Sequence, residues 1–198
     1  MKDFALLDRR PIVVALAGPN GAGKSTFYEA FLEPAGLLFV NVDDIARDLG
    51  VDSYEAARLA EASRAALVEQ GESFIFETVL SDPVGAKVAF LGDVAQRGYT
   101  VVLLFVGVPA DASDERIALR VAKGGHDVPE DKIAARHPRT MRNLERAMRD
   151  LPHVLVYDNS DLAKPYQLLA EYEAGVLVGP FPRPAAPVWF AELTRPEC

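Results

Sequence analysis

The sequence predicts an α/β fold, an open parallel sheet with helices on both faces, and three observations carry that reading. Short apolar runs rich in β-branched and aromatic residues recur at 12–17, 37–41, 74–78, 99–106 and 154–157. Segments of helical periodicity separate them, so strand and helix alternate at least three times, as right-handed βαβ crossovers require. The runs are continuously apolar rather than alternating, which is the pattern of strands covered on both faces. A sheet of this kind holds its ligand in the crevice outside the carboxyl ends of its strands.

The first run, Ile12 to Ala17, leads into Gly18-Pro19-Asn20-Gly21-Ala22-Gly23-Lys24-Ser25-Thr26, which satisfies Gly-x-x-x-x-Gly-Lys-Ser/Thr at every position. Gly18, Gly21 and Gly23 let the backbone turn tightly and aim its amides at phosphate oxygens, an approach that side chains would obstruct. Lys24 opens a helix whose positive end faces the same point. The segment reads as a P-loop lined also by Asn20, Ala22 and Thr26, in which Lys24 bridges the β- and γ-phosphates of ATP and the Ser25 hydroxyl holds Mg²⁺. The fold narrows accordingly to a P-loop NTPase type. Its wording is typical of ABC transporter ATPases, yet the Leu-Ser-Gly-Gly-Gln signature and a strand ending in Asp-Glu are missing, as is the Asn-Lys-x-Asp of GTPases. Small-molecule and nucleotide kinases remain.

The second run delivers Asp43 and Asp44, and the third delivers Glu77 with Thr78 beside it. A hydroxyl acceptor needs a carboxylate within reach of its proton, and a P-loop site needs an acid near the metal. Either Asp43 or Asp44 fits the base, with capping of a short helix over 45–49 as the competing role. Glu77, set in Phe-Ile-Phe-Glu-Thr, is expensive without partners and is expected to hold ligand or metal.

Between these runs, Asp52 and Glu55 have capping-box spacing for a helix that Gly71 ends, with Ala56, Ala60, Ser63 and Leu67 as its core face. A second helix is expected from Pro83 to Gly98, with Val84, Val88, Leu91 and Ala95 inward. Asp82-Pro83-Val84-Gly85 also fits Asp-x-x-Gly, but its proline suits a helix start better. After Val106 the chain becomes helical and basic: of 15 arginines, seven lie between Arg116 and Arg149. Asp111 or Ser113 caps the first of these helices, and Pro138 opens another. That helix carries an apolar stripe, Met141, Leu144, Met148 and Leu151, beside a basic one, Arg139, Arg142, Arg146 and Arg149. Arg142, Arg146 and Arg149 suit a solvated face paired with nearby acids. Asp158-Asn159-Ser160 follows the fifth run, where Asn159 either meets the adenine or makes a turn. A hairpin over 167–178 around Ala174-Gly175, a surface excursion over 180–187, and a tail anchored by Trp189 and Phe190 complete the chain.

The length of 198 residues fits one domain, 1–198, with a helical lid over about 111–150. A net charge of -8 argues against nucleic acid or an anionic membrane as partner. The only cysteine is Cys198, and the longest apolar run is strand length, so a cytoplasmic protein without disulfides or membrane spans is expected.

The order of these motifs resembles the zeta-toxin-like P-loop kinases, particularly their shorter bacterial branch. The resemblance rests on Gly18 to Thr26, on Phe39-Val40-Asn41-Val42-Asp43-Asp44, on Gly71 to Ser81, on Gly124-Gly125-His126-Asp127-Val128-Pro129 and on Arg136-His137-Pro138-Arg139, spanning about residues 12–160. It implies an ATP- and Mg²⁺-dependent kinase acting on a sugar hydroxyl of a nucleotide-activated sugar such as UDP-N-acetylglucosamine. It implies Asp43 as the general base, Glu77 and Thr78 as substrate contacts with Glu77 near the metal, and Arg120, then Arg136 or Arg139, beside the transferring phosphate. An antitoxin protein is the partner it admits. His126 is read as a structural hydrogen-bonder. The alternative from another class is a nucleotide-dependent switch ATPase acting through a protein partner.

Overall fold

The computed structural model describes residues 5–113, 116, 130–180 and 186–194. Among them, seven strands make one sheet: β1 Ile12–Ala17, β2 Leu38–Val40, β3 Phe74–Thr78, β4 Thr100–Gly107, β5 His153–Asp158, β6 Gln167–Glu173 and β7 Val176–Gly179. Their order is β2-β3-β1-β4-β5-β6-β7. The first five pair in parallel, and β6 and β7 continue the sheet antiparallel. β1 and β3 coincide with their apolar runs end for end, and the other three parallel strands differ by one residue at their ends.

The helices are α1 Lys24–Phe27, continued by a wider π turn over Tyr28–Leu32, then α2 Val42–Leu49, α3 Ser53–Glu69, α4 Ala86–Gln96, α5 Glu130–Asp150 and α6 Val188–Leu193. Alternate residues of the central strands enter two separate cores. Val13, Phe74, Phe76, Leu103 and Val156 pack with α3 to α6, whereas Val14, Leu16, Ile75, Leu104 and Tyr157 pack with Phe27 and Leu32. Helical cover is therefore present on both faces, four helices on one and the α1 segment on the other. Among the described residues, no helix is long and apolar enough to cross a membrane.

Several local expectations hold. Asp52 caps α3 by accepting from the amides of Tyr54 and Glu55 at 2.8 and 2.9 Å. Gly71, with φ +75°, closes that helix as the amide of Glu72 reaches back to the Leu67 carbonyl at 2.9 Å. Ala174 and Gly175, at φ +47° and +82°, form the two-residue hairpin turn whose twist matches its strands. Trp189 and Phe190 are buried and anchor the tail.

Others are corrected. The face of α3 continues from Ala56 and Ala60 to Arg64 and Val68, with Leu67 half-buried against the core beside them, while Ser63 is exposed. α4 starts at Ala86 rather than Pro83, because the Asp82 carboxylate takes the Ala86 amide while Gly85 turns left-handed at φ +73°; Val84 is left exposed and Val94 is buried instead. Pro138 lies inside α5 rather than opening it. Its missing N–H costs one helical hydrogen bond, which this 21-residue helix sustains while Thr140 and Asn143 tie it to the sheet. Helical backbone is already present at 110, ahead of both Asp111 and Ser113, with the Ser113 amide bonded to the Pro109 carbonyl at 3.1 Å. Part of the 180–187 excursion and the Gly124–Pro129 segment lie outside the described residues.

Candidate active site

A phosphate cradle needs backbone amides pointing inward, so its carbonyls must point outward and find donors there. The Gly18–Thr26 loop meets that condition at five carbonyls. Lys24 Nζ donates to the Gly18 and Pro19 carbonyls, each at 3.0 Å. Ser113 Oγ donates to the Asn20 carbonyl at 2.6 Å, Asn159 Nδ2 to Ala22 at 2.8 Å, and the Tyr166 hydroxyl to Gly23 at 3.0 Å. Gly18, Gly21 and Gly23 have φ of +145°, +74° and +91°. A Cβ on Gly18 would collide with the Val106 carbonyl of β4, and one on Gly23 would lie 2.7 Å from Asn159 Nδ2. The glycines are thus required both by conformation and by the strands and loops packed against them.

The loop after β5 is the principal staple. Asn159 is buried, its amide N–H bonds the Gly107 carbonyl at 2.9 Å, and its own carbonyl accepts from Arg116 Nη2 at 2.8 Å. Asp158 is also buried and accepts from Ser160 Oγ and, at 3.0 Å, from Trp189 Nε1. Tyr166 packs its edge on Phe27 at 5.2 Å and shares a hydrogen bond with Thr26; burial pushes its phenol above the ordinary range. Ser25 and Thr26 are exposed beside the loop.

On the other side of β1, Glu77, the penultimate residue of β3, has its carboxylate 3.5 Å from Lys24 Nζ. Asn41 Nδ2 donates to Glu77 at 3.4 Å, while Asn41 Oδ1 accepts from the amides of Asp43 and Asp44 at 2.8 and 3.4 Å. Asn41 is therefore the cap of α2, and it ties the start of that helix to the acid at the end of β3. Asp43 and Asp44 stand in the first helical turn, where the dipole favours their charge. They differ in company. Asp44 pairs with Arg47 at 2.7 Å, whereas the exposed Asp43 carboxylate has no hydrogen-bond or ion-pair partner among the described residues. The Thr78 hydroxyl accepts from the Leu80 amide at 3.0 Å, and Leu80 is held fully buried at φ +59°.

α5 enters the same neighbourhood. Thr140 Oγ1 donates to the Val79 carbonyl at 3.0 Å, and Asn143 Nδ2 to the Leu80 and Asp82 carbonyls at 2.8 and 2.9 Å. Arg136 and Arg139, both half-buried, lie one helical turn before Thr140 and Asn143 respectively. Arg146 and Arg149 instead pair with Asp150 at 3.5 and 2.8 Å, the solvated arrangement expected of them. Arg120 and His126 fall outside the described residues.

The structure thus sets the P-loop, Glu77, Asp43 and Asp44 at the carboxyl ends of three neighbouring strands, β1, β3 and β2. Sequence reasoning missed Ser113, Arg116 and Tyr166, whose roles are contacts to backbone carbonyls and leave no spacing signal. Asn41 was legible as a capping residue type two positions before the first of the two acids.

The sequence model of the zeta toxin family matches residues 2–168. Among solved structures, a chain of the AvrRxo1-ORF1:AvrRxo1-ORF2 complex crystallised with ATP superposes with a TM-score of 0.67 at 17% identity, covering 86% of this chain and 60% of its own. The present chain therefore spans about three fifths of that relative's length. A putative kinase from Chloroflexus aurantiacus gives a TM-score of 0.53 at 20% identity, covering 79% of this chain and 92% of its own. The PezAT toxin-antitoxin system of Streptococcus pneumoniae gives 0.53 at 17% identity, covering 76% and 68%. No curated protein matches the sequence. The structural likenesses establish a P-loop kinase fold, and the family match over most of the chain establishes that it belongs to the zeta toxin family.

Proposed function

We propose that the protein is an ATP- and Mg²⁺-dependent kinase that transfers the γ-phosphate of ATP to a hydroxyl of a sugar nucleotide such as UDP-N-acetylglucosamine. The observation that carries this reading is the opposition of two features across β1: a phosphate loop with its carbonyls bonded outward, and a carboxylate, Asp43, left without a partner at the start of α2.

The residues present suit the cofactors. The inward amides and Lys24 fit the β- and γ-phosphates, and Asn159 Oδ1, a buried acceptor without a partner, is the atom of that residue left for the adenine side. Ser25, with Glu77 nearby, suits Mg²⁺, which keeps phosphate oxygens and water as most of its ligands. Bound there, the metal neutralises charge on the phosphates. Asp43 takes the proton of the acceptor hydroxyl as its oxygen bonds to the γ-phosphorus and the bond to ADP breaks. Asn41 holds the helix that presents Asp43, and Glu77, bonded to Asn41 and facing Lys24, orients both sides of the reaction. Thr78, Asp44 and Arg139 border the acceptor, and Arg136, with Arg120, steadies the transferring phosphoryl group through the planar guanidinium fork.

The same reading takes residues 1–198 as one kinase domain with a lid over about 111–150, working in the cytoplasm and restrained by an antitoxin protein, as in the toxin-antitoxin relative. The test is incubation with radiolabelled ATP and a panel of sugar nucleotides, with products read by mass spectrometry. A gain of one phosphate on a sugar nucleotide is expected. It should be abolished by Lys24→Ala or Ser25→Ala, with thermal melts showing the fold retained. ATP hydrolysis without any phosphorylated acceptor would overturn the kinase in favour of a switch ATPase.

A further inference from the structure

On the sheet-facing side of α3, the series Ala56, Ala60, Arg64, Val68 places an arginine where the pattern calls for an apolar residue. Arg64 is 5% exposed, and its Cζ lies 5.0 Å from the centre of the Phe76 ring. It has no hydrogen bond and no carboxylate within ion-pair distance among the described residues. Burial lowers its pKa, with Glu61, one turn earlier, acting weakly in the other direction. None of its nitrogens is among the fully buried atoms left without a partner, so the head stays open to a ligand, and an anion meeting it there offsets the desolvation of the charge.

Its position says where that anion comes from. α3 runs antiparallel to β3, and helical side chains lean toward their helix N-terminus, so Arg64 leans toward the carboxyl ends of the strands. Phe76 immediately precedes Glu77, and Thr78 lies on the same sheet face about 7 Å further along the strand. In the sheet order, β3 lies on one side of β1 and β4 and β5 on the other, so Arg64 stands away from the stapled loop that follows β5. Phe76 occupies one face of the guanidinium, and its in-plane N–H groups remain to grip two oxygens of one anionic group.

We propose that Arg64 anchors a phosphate or carboxylate carried by the phosphoryl acceptor; this rests on the kinase reading and narrows its substrate to an anionic molecule. Protein preloaded with Mg²⁺ and the non-hydrolysable analogue AMP-PNP is titrated calorimetrically with two probes, UDP-N-acetylglucosamine for the diphosphate and glucuronate for the carboxylate. One probe should bind, which identifies the anion. Arg64→Met keeps the stem on Phe76 and should weaken that probe by about tenfold or more, leaving AMP-PNP affinity within about twofold; Arg64→Lys should recover part of the loss. Binding of neither probe, or probe affinity untouched by Arg64→Met, overturns the anchor, while a phosphorylated acceptor in the radiolabel assay upholds the kinase independently. Failure of AMP-PNP to bind the wild type overturns both. Should Arg64→Met not fold, the wild type still decides. Its Arg64 Nε–H resonance, identified by its loss in Arg64→Lys, must move when the probe is added, and an unmoved resonance sinks the proposal.

Discussion

The two sides of β1 are built on opposite principles. Toward β4 and β5, the carbonyls of the phosphate loop are saturated within the protein: those of Asn20, Ala22 and Gly23 accept from Ser113, Asn159 and Tyr166, and Arg116 closes over the Asn159 carbonyl, leaving Asn159 Oδ1 as an open acceptor. Toward β3 and β2, charges are left open, with Asp43 exposed and unpaired and Arg64 buried and unpaired. In the proposed kinase the difference follows from what each side would receive. A loop that bound the same triphosphate in every turnover would gain from being fixed beforehand, since donors already in place need no reorganisation as charge develops. A pocket that must distinguish acceptors gains from groups only the right ligand can satisfy, because a ligand lacking the matching group leaves them buried and unpaired.

The largest effect should come from the open side. Asp43→Asn is expected to lower single-turnover transfer by ~10²- to 10⁴-fold while nucleotide affinity stays within a few-fold. Asp44→Asn, whose carboxylate already serves Arg47, should stay near the wild-type rate. The reverse result would move the base to Asp44 and erase the contrast between a paired and an unpaired acid. Asn159→Ala probes the saturated side. It strands the Ala22 carbonyl, at about 1–3 kcal/mol, and should raise the half-saturation concentration for ATP while leaving that of the acceptor unchanged. Equal movement of both constants would show that the two sides are one unit.

The smallest effect lies at the opposite, amino end of the parallel strands and serves as a control. Burial holds the imidazole of His153 below its ordinary value of 6.5, with Glu173 opposing and Arg9 adding. As pH falls through 6.5 the unfolded chain takes up this proton first, so stability present above 6.5 is lost on the way down to the folded value. His153→Gln should flatten that part of the melting profile without changing transfer at neutral pH. A change in transfer would mean that the strand ends communicate along β5.

Most of the saturated side could be read in advance, and the reasons are physical. The P-loop imposes a spacing because glycine conformations and phosphate geometry allow little variation, and β1 and the 74–76 part of β3 are apolar because both faces are covered. The face of α3 was misread at one residue. The i, i+4 series from Ala56 and Ala60 runs directly to Arg64, but an apolarity search steps aside to Ser63 to avoid the charge, rejoining the core at Leu67. Pro138 misled in another way, since a residue that favours helix starts here lies inside a helix that Thr140 and Asn143 tie to the carbonyls of Val79 and Leu80. Ser113, Arg116 and Tyr166 left no trace because any donor of suitable reach could bond a carbonyl. In each case tertiary geometry chose among residues that local chemistry treats alike.

The only tryptophan of the chain is Trp189. Its ring packs so closely on β4 that a Cβ at Gly107 would collide with it, and its N–H is held by Asp158, the residue before Asn159. The protein therefore carries a built-in optical probe on the saturated side alone. Its emission should report the arrival of nucleotide as the loop after β5 adjusts and stay silent when an acceptor binds near Arg64. Two ligands can thus be followed in one cuvette without a label, and the intrinsic signal is assigned to one of them before the first titration.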